Sequence, residues 1–434
     1  MKRFYLENLG CSKNASDGEV VIGSLVERGY HWTQDPGSAE IIILNTCGFI
    51  EEAVRESLDR LLELADYKLE GNCKKLVMMG CVSQRYQRKL DRELPEVDLF
   101  VGTGYLREMP DVLNSSERFF FERRDTPILS GNRPELHLPV SYIKIAEGCD
   151  NRCTYCLIPS LRGTMRSRSI DDIVREAEGA LRQGAKELIL IAQDVSRFGR
   201  DRTESLEELL LALNAIPGKF WIRLQYVYTD ILTRSFFETL ASCEKVLPYL
   251  DMPIQHISDR VLKRMNRHTT RRDIERVISW ARELVPDIAL RSTVMVGFPG
   301  ETEEDFEELM CFLDEYPFER LGAFVYSDEE GIASKKLKDK VPSEIKQERF
   351  ERLMSAQIDR AEEWSANKVG EVIEVLVEEY GIDGVYARSK WDAPEVDCIV
   401  FVKDTDVPVG TFLSVLITES EGMDLNGVIY ESAK

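Results

Sequence analysis

Histidine is scarce in this sequence, with four in 434 residues, and positive charge is in deficit, with 56 Lys and Arg against 77 Asp and Glu. Few ligands for a closed zinc site therefore remain outside the cysteines. The net charge of −21 repels nucleic acid at long range and favours a basic partner, unless it serves solubility alone. No apolar run is long enough to span a membrane. The first residues, MKRFYLENLG, lack the apolar stretch and small-residue cleavage site of a secretion signal. These absences point to a cytoplasmic protein with no membrane partner, in which thiols stay reduced. Its ten cysteines are then expected to bind metal or serve catalysis rather than pair as disulfides.

What is present is a long succession of short apolar runs between amphipathic segments. The expected fold is α/β and multidomain. Over residues 1–117, strands at 4–10, 40–45, 75–80 and 98–101 alternate with helices at 15–29, 49–65 and 83–93. That alternation predicts a doubly wound parallel domain. The stretch 118–140, rich in mixed charge with Pro and Gly, reads as a linker or edge segment. Over residues 135–366, strands at 141–146, 187–192, 221–226, 247–252, 288–296 and 321–326 give six strand–helix units. Six are too few for a closed eightfold barrel and suit a partial (β/α)6 TIM-type barrel, with its site at the carboxyl ends of the strands. Ser169 and Gly184 bracket the helix after the first unit. A long amphipathic helix covers 342–366. Residues 367–434 then carry five period-two strands, at 372–380, 383–389, 398–403, 411–419 and 427–431, which predict a small antiparallel barrel.

The stretch CDNRCTYC places Cys149, Cys153 and Cys156 directly after the first strand of the barrel. A disulfide knot, a zinc site and an iron–sulfur cluster all need such thiols. Zinc usually takes four ligands, and no fourth Cys or His is near, His137 and His256 being the closest histidines. A cubane cluster on three thiolates leaves one iron open. That iron can chelate S-adenosylmethionine, whose reduction yields a carbon radical. A zinc knuckle or buried free thiols remain the competing reading. Cys11, Cys47 and Cys81 each follow a strand of the first domain. Because the carboxyl ends of parallel strands share one edge, the fold should gather them. A second cluster with an open iron is the reading, against three buried core thiols. Cys73, Cys243, Cys311 and Cys398 share no such phase.

These residues resemble the radical S-adenosylmethionine methylthiotransferase family across essentially the whole chain: a methylthiotransferase N-terminal domain, a radical core and a terminal TRAM domain. The resemblance implies two four-iron four-sulfur clusters and S-adenosylmethionine as cofactors. The cluster on Cys149, Cys153 and Cys156 would generate a 5′-deoxyadenosyl radical. The one on Cys11, Cys47 and Cys81 would carry the sulfur that is methylated and inserted. One branch of the family modifies adenosine in tRNA; the other modifies an aspartate of the small-subunit ribosomal protein S-twelve. LGCSKN, NTCGFI and QDVSRFG (193–199) are similar to the ribosomal-protein branch, the last with departures at Val195 and Phe198, and WIRLQYVYTD (221–230) departs at Thr229, where the family often has Pro. The implied partners are a basic ribosomal protein, an electron donor such as flavodoxin or ferredoxin, and a sulfur donor. Between residues 368 and 434, 14 acidic residues face five basic ones. A tRNA-gripping barrel should be basic, so this balance favours a basic protein. The basic stretch RVLKRMNRHTTRR (260–272) argues the other way, unless it is a helix face of the core.

Further candidate contacts for the cofactor sit at strand ends. They are Tyr155 in the cysteine loop, Gln193 and Asp194 after the second strand, and Gln255 beside His256 after the fourth. Gly297 and Gly300 in VGFPGET would let a ligand approach the backbone. Arg223 is a candidate partner for a carboxylate of S-adenosylmethionine or substrate. Lys144 and Glu147, flanking the cysteine loop, are expected to pair.

Overall fold

Six strands of the N-terminal region line up in parallel in the computed structural model, which describes residues 2–122 and 133–431. They are β1 (Arg3–Asn8), β2 (His31–Trp32), β3 (Ile41–Thr46), β4 (Lys75–Gly80), β5 (Leu99–Val101) and β6 (Phe119–Phe120), in the order β2-β1-β3-β4-β5-β6. β3 and β4 are covered on both faces, which is why they read as unbroken apolar runs. The strand order switches direction between β1 and β3, so their carboxyl ends border a crevice. β1 ends two residues sooner than expected. Gly10, at φ +88°, turns the chain, and Cys11 stands at the head of the helix Ser12–Glu27. The expected linker contributes β6 at the sheet edge; residues 123–132 of it lie outside the described residues.

The core sheet holds β7 (Val140–Lys144), β10 (Glu187–Ile191), β11 (Trp221–Leu224), β12 (Val246–Asp251), β13 (Ala289–Val296) and β14 (Arg320–Val325), all parallel and adjacent in chain order. A small antiparallel pair, β8 (Ala146–Glu147) with β9 (Arg166–Ser167), clasps the base of the cysteine loop. β11 stops at Leu224 because Tyr226 takes a left-handed φ of +65°. Helix ends follow local chemistry. Ser169 Oγ accepts from Asp172 N at 3.3 Å, and Gly184 closes the helix Ile170–Gln183 at φ +111°. Thr270 with Asp273 and Thr302 with Asp305 form capping boxes.

The C-terminal strands β15 (Val372–Tyr380), β16 (Gly384–Ser389), β17 (Val400–Lys403), β18 (Phe412–Glu421) and β19 (Asp424–Ile429) close into a barrel. It is not antiparallel throughout. The last hairpin lays β19 alongside β17 in the same direction, and this parallel pair completes the ring. The barrel packs against the starts of the core strands. Trp221 stacks edge-on to Phe412 at 5.0 Å, Arg320 donates to Asp392 at 2.6 Å, and Arg388 donates to Glu187. Its position is therefore opposite the strand ends that carry the cysteine loop. Among the described residues no helix is long and apolar enough to cross a membrane.

Candidate functional site

The core cysteine loop is stapled before any ligand is considered. Gly148 has φ +82°, and a Cβ there would lie 2.1 Å from Thr164 O, so only glycine fits. Thr154 N donates to Met265 O at 3.0 Å and Thr154 Oγ1 to Arg264 O at 3.0 Å. Asn151 Nδ2 donates to Asp194 Oδ2 at 2.6 Å. Cys149, Cys153 and Cys156 line one cleft of about 150 Å³, and Tyr228 Oη stands 3.4 Å from Cys153 Sγ. Burial pushes the Cys149 thiol up to about 11 and the Cys156 thiol up to about 12. Loading a metal there must displace protons.

Two buried polar atoms on cleft-lining residues lack a partner among the described residues. One is a donor, Arg267 Nε; the other is an acceptor, Gln193 Oε1. The Arg267 guanidinium lies 3.6 Å from the centre of the Tyr228 ring, and its Nη2 donates to Pro253 O at 2.6 Å. An amino-acid ligand, with one carboxylate and one ammonium, would satisfy both orphans. Tyr155 and Gln255 also line the cleft, Gln255 through a left-handed turn at φ +68°.

Other expected contacts fall elsewhere. Asp194 supports the loop from beneath: it accepts from Asn151, Ser196 and Arg197, and burial raises its carboxyl despite them. Arg223 lies near the opposite, starting ends of the strands. It is fully buried, donates to Glu187 at 2.6 Å and to Lys390 O at 3.1 Å, and covers the Tyr249 ring. Its carboxylate is a protein one, so the expected pairing with a ligand is replaced. Gly297 and Gly300 make room for protein rather than ligand: a Cβ would strike Lys346 Cγ at 2.3 Å and Arg264 Cζ at 2.6 Å. His256 is buried and accepts from Ser258 N through Nδ1 at 3.0 Å.

Three loops of the N-terminal sheet meet through two glycines. A Cβ on Gly10 would lie 2.5 Å from Cys47 Cβ, and one on Gly48 would lie 2.8 Å from Val82 N. The loops of Cys11, Cys47 and Cys81 are thus in contact. Asn45 Nδ2 ties Asn8 and Asn14 O at 3.0 and 2.9 Å, fixing the strand ends beneath them. The trio grades from buried Cys81 through half-buried Cys47 to exposed Cys11. Surrounding protein would push the Cys11 thiol up, but Lys13, Arg162 and backbone N–H donors bring it below the ordinary value. Among the described residues no three His, Cys, Asp or Glu side chains gather tightly enough for a single metal ion. A cubane cluster, whose ligands spread over its corners, asks for wider spacing.

The two cysteine sites share a wall. Lys13, two residues after Cys11, sits 3.2 Å above the Tyr226 ring, which lines the core cleft. Arg162, from the helix that follows Cys156, reaches Cys81 Sγ at 3.6 Å. Lys144 donates to Glu147 at 2.8 Å, the pairing expected from sequence, and also to Asp17. On the other flank Arg85 meets Glu329 at 3.1 Å. In the basic stretch 260–272 three arginines have partners within the chain, while Lys263 and Arg272 are exposed: Arg260 pairs with Asp305, Arg264 donates to Pro299 O at 2.9 Å, and Arg271 meets Glu275 at 2.7 Å. Asn151, Tyr226, Tyr228 and Arg267 were missed as site residues; the two tyrosines follow the third core strand, and that phase was the available signal.

A model of the radical SAM superfamily matches residues 143–313, one of an uncharacterized protein family, UPF0004, matches 3–102, and a TRAM domain model matches 369–429. The chain is 43% identical over 450 residues to a ribosomal protein uS12 methylthiotransferase RimO of Clostridioides difficile, across 100% of both chains. It is 43% identical over 439 residues to one of Geobacter sulfurreducens, across 97% of each. Its fold is similar to the solved structure of a radical S-adenosylmethionine methyltransferase, TsrM, from Kitasatospora setae, at a TM-score of 0.57 and 16% identity over 75% of each chain.

Proposed function

The chain belongs to the ribosomal protein uS12 methylthiotransferase family of radical SAM enzymes, and on that premise we propose that it adds a methylthio group to the β-carbon of an aspartate in uS12. The observation that carries the reading is the shared wall: two cysteine trios, one from each domain, face each other across Lys13–Tyr226 and Arg162–Cys81. Cys149, Cys153 and Cys156 would hold a four-iron four-sulfur cluster with S-adenosylmethionine, and Cys11, Cys47 and Cys81 would hold a second. When bound, these groups supply a hydrogen-abstracting radical and the sulfur to be transferred.

The chain's own residues do the rest. Arg267 Nε and Gln193 Oε1 orient the amino-acid end of S-adenosylmethionine. Asn151 and Asp194 keep the cysteine loop in place. Tyr228 and Arg267 form one wall of the cleft, the guanidinium stacked on the ring. Exposed Cys11 leaves an approach for a substrate side chain. The acidic terminal barrel suits a basic ribosomal protein. Division at 1–117, 135–366 and 367–434, a cytoplasmic location, a flavodoxin- or ferredoxin-type electron donor and a separate sulfur donor belong to the same proposal. The basic stretch 260–272 that favoured the tRNA reading has three of its arginines already partnered within the chain.

The test is anaerobic incubation of the iron- and sulfide-reconstituted chain with S-adenosylmethionine, a reductant, and either a uS12 loop peptide or tRNA. Mass spectrometry should find one methylthio group on the peptide aspartate and none on tRNA. Modification of tRNA alone would overturn the substrate assignment.

A further inference from the structure

A buried charge square joins the two cysteine sites. Lys144 and Arg162 come from the core, Asp17 from the helix Ser12–Glu27, and Glu147 lies two residues before Cys149. Each cation bridges the same two carboxylates. Lys144 meets Asp17 and meets Glu147 at 2.8 Å; Arg162 Nη1 meets Asp17 at 2.9 Å and Glu147 at 3.1 Å. All four side chains are at most 8% exposed. The square is balanced in charge within itself. Arg162 is the cation that carries the square to the auxiliary cysteines: Nη2 donates to Asn14 Oδ1 at 2.7 Å and to Cys81 Sγ at 3.6 Å.

We infer that Arg162 is a positioning residue for the auxiliary site, holding Cys81 with an N–H···S bond and raising the reduction potential of the cluster that Cys81 ligates. This rests on the reading of Cys11, Cys47 and Cys81 as cluster ligands. A ligating thiolate adds negative charge beside a square that is already neutral. The guanidinium answers it with a donor that never loses its proton. Its planar fork serves the carboxylates through one nitrogen and the sulfur through the other, which a lysine, being a single point charge, cannot do. Net charge and hydrogen bonds to sulfur set the potential of iron–sulfur clusters. Because Arg162 is the last residue of the short helix after Cys156, the same contact fixes the auxiliary ligands relative to the core loop.

The test uses the full chain with Cys149, Cys153 and Cys156 all changed to Ala, so that one cluster remains. Its midpoint is followed by electron paramagnetic resonance during a redox titration. Into this background go Arg162→Lys and the double change Arg162→Gln with Asp17→Asn; the double change keeps the square neutral and protects folding. In both, iron content should hold while the midpoint falls. For the double change the reduced-to-oxidised ratio at fixed poise should drop on the order of tenfold, or about 59 mV for one electron. In a chain with Cys11, Cys47 and Cys81 changed to Ala, the same replacements should leave the remaining midpoint in place. An unmoved auxiliary midpoint in an iron-loaded variant overturns the inference alone, as do equal shifts at both sites. A parent variant that binds neither iron nor sulfide overturns it together with the cluster reading beneath it.

Discussion

Gln193 Nε2 donates to Glu147 Oε1 at 3.0 Å, so the cleft side chain is held by the same carboxylate that Lys144 and Arg162 neutralise. The amide oxygen is left buried in the cleft wall, without a partner among the described residues. Gln193→Leu should therefore weaken S-adenosylmethionine binding by about 10- to 100-fold, the range for a hydrogen bond to a charged group. Equilibrium binding to the reconstituted enzyme measures it; unchanged affinity with intact iron content would remove Gln193 from the ligand site.

The two cysteine sites should fail differently. Cys153→Ala is expected to abolish reductive cleavage of S-adenosylmethionine. Cys47→Ala should keep cleavage to 5′-deoxyadenosine and lose the methylthio product. Chromatography of the nucleoside and mass spectrometry of the peptide read both. Intact product from the Cys47 variant would refute the division of labour.

The terminal barrel is joined to the core by charge. Burial would raise the Glu187 carboxyl, but Arg223 and Arg388 hold it below the ordinary range. Arg388→Met should cost about 3–5 kcal/mol, because Glu187 stays buried with one of its two cations gone. Denaturant unfolding reports the loss. S-adenosylmethionine cleavage per folded molecule should be unchanged, since the contact lies at the strand starts, away from the cysteine loop.

His256 and Glu301 oppose each other in pH. Burial lowers the His256 imidazole to about 4 from its usual value of about 6.5. Over that window the unfolded chain binds more protons, so this contribution is full above about pH 6.5 and is lost as pH falls. Burial lifts the Glu301 carboxyl up to about 7, in spite of Arg349. Its contribution is full below the usual carboxylate value of about 4.3 and is lost as pH rises through about 7. The two slopes nearly cancel in the wild type. His256→Gln should expose the second, so that stability falls by up to about 3 kcal/mol between about pH 4.5 and about pH 7. Urea midpoints across that range give the answer; a flat profile in the variant would contradict it.

Much of this arrangement was legible because parallel strands buried on both faces read as plain apolar runs, and β3, β4 and β10 are such runs. Strand phase then sufficed to bring Cys11, Cys47 and Cys81 to one edge, although 36 and 34 residues separate them. Arg223 misled for the converse reason. A strand arginine can turn to either end, and its partner Glu187 is shared with Arg388 from a domain 165 positions further along the chain. Arg162 and Arg267 were illegible as site residues because their meaning lies in contacts with Cys81, Asp17 and Tyr228, which only the fold supplies. Gly297 and Gly300 carried a true signal of close approach, but what approaches is Lys346 and Arg264.

The most direct test of the account is the count of iron and labile sulfide in the anaerobically reconstituted chain and in its two triple-alanine variants. Two clusters' worth per chain, halved when either Cys11, Cys47 and Cys81 or Cys149, Cys153 and Cys156 are replaced, is the predicted result. One cluster's worth in the wild type, unchanged by loss of the N-terminal trio, would contradict it.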